Sequence, residues 1–62
     1  MNIQITIENE AATLVLHYDR GSCDAKFSFI EHGGACFSEH YTREQLTELI
    51  NGVNLIRTEM DA

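Results

Sequence analysis

From Asn2 to Glu8 the chain alternates, with Ile3, Ile5 and Ile7 on one parity and Gln4, Thr6 and Glu8 on the other. A period of two with β-branched residues on the apolar side predicts a strand buried on one face. The alternation resumes after Asn9-Glu10, where Ala12, Leu14, Leu16 and Tyr18 share a face opposite Thr13, Val15 and His17. Asn tolerates left-handed backbone, so a tight Asn9-Glu10 turn is predicted, although Glu10 is a poor turn residue.

The segment Asp19-Arg20-Gly21-Ser22-Cys23-Asp24 carries the next turn. A two-residue Gly21-Ser22 loop pairs Arg20 with Cys23 and then sets Leu16 against Phe27 and Leu14 against Phe29. Every apolar residue then meets an apolar partner on one face. The third strand, Ala25 to Glu31, ends at Gly33-Gly34 and a short fourth strand follows. A two-residue loop there sets outward Ile30 against inward Phe37. A three-residue loop, His32-Gly33-Gly34 with Gly34 left-handed, sets Phe29 against Phe37 and Ile30 against Cys36, and the pleat selects it.

After Tyr41 the period changes. Thr42 followed three residues later by Gln45 is a capping box, with Tyr41 and Leu46 placed as a hydrophobic staple. Leu46, Leu49, Ile50, Val53, Ile56 and Met60 then form one stripe at helical spacing. Gly52 costs about 1 kcal/mol relative to Ala inside a helix, and its expected use is close approach to the sheet or to another chain. Leu55 lies outside the stripe, beside Glu48 and Glu59.

The predicted fold is α+β: a four-stranded antiparallel meander with one C-terminal helix packed on one face, in two layers (ββββα). Strands are expected at about 2–8, 11–19, 24–31 and 35–40 and the helix at about 43–60, in a single domain of 62 residues. The helix is expected to cover Ile3, Ile5, Ile7, Leu14, Leu16, Phe27, Phe29 and Phe37. Of the hydrophobic residues five are Ala and two Cys, which leaves twenty large apolar side chains for the core. Both outer strands lack Pro and Lys that would discourage pairing. A homodimer through one of these edges, or across the open sheet face, is expected to supply missing burial.

Charge narrows the partners. Ten Asp or Glu against four Lys or Arg give a formal net charge of −6, which disfavours direct binding of nucleic acid and favours a protein with a basic surface. There is no membrane-length apolar run and no signal-like N-terminus, so the expected setting is cytoplasmic. Two Cys there are expected to be reduced thiols.

Chemical candidates are few. His17 and His40 fall on the open face in a row read as Asn2, His17, Lys26, His40, but the intervening ammonium and about 9.6 Å between their strands argue against a metal. Cys36 near His32 permits a Cys-His dyad with no orienting acid or deep pocket to complete it. The Gly33-Gly34 pair lacks the context of a phosphate loop. No catalytic residue, cofactor or metal is therefore assigned, and an enzyme is not expected. The candidate contact set is acidic Glu8, Glu10, Glu44 and Glu48 with Val15, Ile30, His40 and Leu55.

Four strands followed by a helix resembles in outline the Whirly and PUR families of single-stranded nucleic-acid binders. That resemblance implies dimerisation and a binding sheet face, here Gln4, Thr13, Val15, His17, Lys26, Ser28, Ile30, Ser38 and His40. In size and acidity the chain also resembles the small inhibitors that phages and mobile elements direct at host enzymes and defence complexes, anti-CRISPR proteins included. The leading expectation is an acidic protein-binding inhibitor of a host nucleic-acid-handling protein.

Overall fold

The structure, a computed structural model, describes residues 2–62. Strands β1 (Asn2–Glu8), β2 (Ala12–Asp19), β3 (Asp24–Glu31) and β4 (Cys36–Thr42) form one antiparallel sheet in chain order, and helix α1 (Arg43–Met60) follows directly. This is the α+β, ββββα arrangement that the periodicities require. Leu14 opposes Phe29, Leu16 opposes Phe27 and Phe29 opposes Phe37, so one sheet face is apolar across its strands.

Two turns differ from the sequence reading. Glu8 pairs with Thr13, and the connection between β1 and β2 is the three residues Asn9 to Ala11. Asn9 organises it: its Oδ1 accepts from the amides of Ala11 at 2.8 Å and Ala12 at 2.9 Å, and its own N–H donates to the Ala12 carbonyl. The register moves by two residues, so the faces are unchanged. In the second turn the Ser22 N–H donates to the Asp19 carbonyl at 3.0 Å. The central residues are thus Arg20 and Gly21, the latter at φ 96°, in place of a Gly21-Ser22 loop.

The third turn is His32-Gly33-Gly34. Gly34 has φ 130°, a backbone region that side chains with a Cβ rarely adopt. Glu31 donates to the Ala35 carbonyl at 2.8 Å, and Ile30 opposes Cys36.

Helix α1 starts at a complete capping box. Thr42 Oγ1 accepts from the Gln45 amide at 3.3 Å, and the Thr42 N–H donates to Gln45 Oε1 at 2.9 Å. Leu46 and Leu49 lie over Phe27 and Tyr41. Leu49, Ile50 and Val53 face Ile5, Ile7, Leu14, Leu16 and Phe27 across a cleft of about 390 Å³. The helix therefore passes over the apolar face from β4 toward β1.

Cover of that face is only partial, contrary to expectation. Among the described residues only Ala12 and Ala25 are buried hydrophobics, at 7% and 3% exposure. Ile7 is 60% exposed and Met60 77%. The exposure is not confined to the ends, since Ile50, Val53 and Phe37 are 59%, 43% and 63% exposed, and α1 approaches the sheet mainly at β4. Gly52 makes no close approach either, since a Cβ there meets nothing within 4 Å.

Candidate functional site

The sheet face away from α1 is polar, and the strand registers arrange it in rows. Glu8, Thr13, Ile30 and Cys36 form the first row, followed by Thr6, Val15, Ser28 and Ser38, then Gln4, His17, Lys26 and His40. Asn2, expected beside His17, instead opposes Asp19, because of the longer first connection. Ser28 and Ser38 meet Oγ to Oγ at 3.0 Å.

Each imidazole of the protein stands beside a carboxylate. His17 Nε2 lies 3.4 Å from Asp19 Oδ1, and His40 Nδ1 lies 3.3 Å from Asp24 Oδ1. At the opposite end His32 ties two loops together. Its Nδ1 faces the Glu10 carbonyl at 3.1 Å, so that nitrogen donates. Its Nε2 meets Thr13 Oγ1 at 3.0 Å, Thr13 Oγ1 donates to Glu8 Oε2 at 3.1 Å, and the His32 amide donates to the Ala11 carbonyl. Both ring nitrogens of His32 are thereby engaged away from Cys36, so the Cys-His dyad read from the sequence is not assembled. Both thiols are free and exposed.

The arrangement bears on what the surface can do. Lys26 is the one Lys or Arg on this face, between two imidazoles and within a frame of Glu8, Asp19 and Asp24. Among the described residues there is no group of three side chains suited to a metal ion. The clefts between helix and sheet lie on the other side. The polar face is a surface for contact, with apolar Val15 and Ile30 on its two central strands, Ile30 in the end row.

The candidate contact residues do not form one patch. Glu8, Val15, Ile30 and His40 share the polar face, with Glu10 in the loop at its edge. Glu44, Glu48 and Leu55 belong to α1, on the opposite side of the sheet. Leu55 is 64% exposed, which does not set it apart from Ile56 at 59% or Met60 at 77% on the stripe. Asp19 and Asp24 were missing from the candidate set, yet strand parity carried the signal: Asp19 follows His17 by two residues, and the β3–β4 register brings Asp24 diagonal to His40.

Comparison with protein-family models, with curated proteins and with solved structures finds no match in any of the three. No helix among the described residues is long and apolar enough to cross a membrane. Fold and site together define an α+β protein with a polar, acid-framed sheet face.

Proposed function

We propose that this protein is a small acidic protein-binding module that acts in the cytoplasm as an inhibitor of a nucleic-acid-handling host protein, in the manner of phage and mobile-element anti-defence proteins, anti-CRISPR proteins included. The observation that carries this reading is the polar sheet face: Glu8 stands at one end and Asp19 and Asp24 at the other, with apolar Val15 and Ile30 on the two central strands. A basic protein surface complements this arrangement, and the carboxylates occupy positions that phosphates would take on that partner. The net charge of −6 adds long-range attraction to a basic partner. The same charge works against the runner-up reading, a single-stranded nucleic-acid binder of Whirly or PUR outline. Such binders need basic grooves and stacking rings on one face, whereas Lys26 is alone here and the aromatic rings lie on the apolar side.

Affinity capture from host lysate with quantitative mass spectrometry tests the proposal. The same partner should be lost from Glu8→Lys with Glu10→Lys, and from Asp19→Lys with Asp24→Lys. It should be retained by Glu44→Lys with Glu48→Lys. Retention through all three pairs refutes acidic docking. Salt-sensitive binding of a single-stranded oligonucleotide that Lys26→Glu abolishes would transfer the conclusion to the runner-up.

A further inference from the structure

Two features of the apolar side and one of the whole chain are left unmatched. First, β1 is an edge strand whose inward residues are all Ile, and Ile3 is 49% exposed. Ile3 also lies outside the set of residues lining the cleft beneath α1. Second, the apolar stripe of α1 continues through Ile56 and Met60, 59% and 77% exposed, past Val53 and Asn54, the last helix residues lining the cleft with Ile5 and Ile7. Third, the chain exposes 5282 Å², where a folded monomer of its mass exposes about 4,000 Å². Its Cα radius of gyration is 13.2 Å against about 11 Å for a compact chain of this length.

The other edge is different. On β4 the inward positions are Phe37, Glu39 and Tyr41, and Glu39 opposes Phe27. An inward-pointing charge is one of the devices by which edge strands avoid pairing. On β1 no such charge interrupts the Ile row.

We propose that a second copy of this chain pairs antiparallel with β1 about a two-fold axis at Ile5, joining the two sheets into one. The axis stands perpendicular to the sheet, so both apolar faces lie on the same side. Ile3 of one copy then opposes Ile7 of the other. Because Val53 and Asn54 share a cleft with Ile5 and Ile7, the next turns of α1 are placed to reach over Ile3 of the second copy, which lies outside that copy's own cleft. Ile56 and Met60 close over it, and the second copy returns the same contact. Joining two compact particles of this mass into one buries roughly 1,400 Å², within the ~1,200–2,000 Å² of a standard stable interface.

Sedimentation velocity of the full chain at micromolar concentration is the direct test, with a mass of twice 7.0 kDa expected. Ile3→Lys and Met60→Lys should each weaken association at least tenfold, while Phe37→Lys on the other edge leaves it unchanged. Far-UV circular dichroism separates dissociation from unfolding. A cysteine pair gives a second reading that does not depend on destabilising variants. With Cys23→Ser and Cys36→Ser in place, Ile5→Cys puts a thiol opposite its symmetry mate, within the ~4.4–6.8 Å Cα range that a disulfide spans. Oxidation should yield a covalent dimer from Ile5→Cys and none from Ser38→Cys. A wild-type monomer at micromolar concentration overturns the proposal. So does a dimer that survives Ile3→Lys but is lost with Phe37→Lys, or one that cross-links through Ser38→Cys alone. None of these measurements requires the basic partner, so failure here leaves the acidic-docking reading standing, and the converse also holds.

Discussion

Gly52→Ala isolates what holds α1 together. Gly52 lies within an 18-residue helix none of whose residues is buried, and a Cβ built there meets nothing within 4 Å. The substitution therefore adds no clash and fills no cavity, and its effect reduces to backbone freedom. Gly is about 0.8–1.0 kcal/mol less favourable than Ala inside a helix, much of it because the unfolded chain has more states to lose at Gly. The expected gain is about 1 kcal/mol, which for a chain of this size raises Tm by roughly 4–8 °C. Thermal unfolding followed by circular dichroism at two protein concentrations provides the measurement. A gain that is equal at both separates the local effect from mass action on an oligomer. An unchanged or lowered midpoint at both concentrations refutes the reasoning and means that another chain packs against the bare side of Gly52.

Three further substitutions probe the connections. Thr42→Ala removes the acceptor for the Gln45 amide and should cost about 1 kcal/mol, read as a lower urea midpoint with a loss of helical ellipticity. Gly34→Ala forces a Cβ onto backbone at φ 130° and should cost about 1–3 kcal/mol, whereas Gly33→Ala, with open space around it, should cost less in the same unfolding experiment. His32→Ala removes the ring contacts to Glu10 and Thr13 and should cost roughly 1 kcal/mol; amide exchange should speed up at Ala11 and Ala12 first, with the opposite sheet end unaffected.

Hydrophobic parity settled which residues share a face but not every loop length. A two-residue connection at Asn9-Glu10 and the observed turn give registers that differ by an even slip, so both keep Ile3, Ile5 and Ile7 with Leu14 and Leu16. The pattern cannot choose between them. What chooses is the Asn9 carboxamide, which accepts from two amides at once and thereby fixes the longer turn. At His32-Gly33-Gly34 the competing loops differ by an odd slip, and parity alone was decisive. The helix illustrates another limit. Its stripe shows which side is apolar, but the direction of crossing follows from the junction at Thr42, where β4 ends and α1 begins. The candidate contact residues suffered for the same reason. Acidity and expected exposure grouped Glu44, Glu48 and Leu55 with Val15 and Ile30, whereas the sheet separates them.

Charge and hydrophobicity are thus divided between the two sides of the sheet, and this gives the two proposed associations opposite responses to salt. Glu8, Asp19 and Asp24 look outward from the polar face, while Ile3, Ile7, Ile56 and Met60 gather on the apolar side. Pairing two copies brings together chains that each carry −6, so their long-range repulsion opposes an apolar contact that does not itself depend on charge. Raising ionic strength shortens the screening length from about 10 Å at 0.1 M to about 3 Å at 1 M. Self-association should hold or tighten over that range as repulsion is removed. Docking of the acidic frame on a basic partner should weaken over the same range. An association that dissolves with salt is therefore assigned to the polar face, and one that persists to β1 and the end of α1.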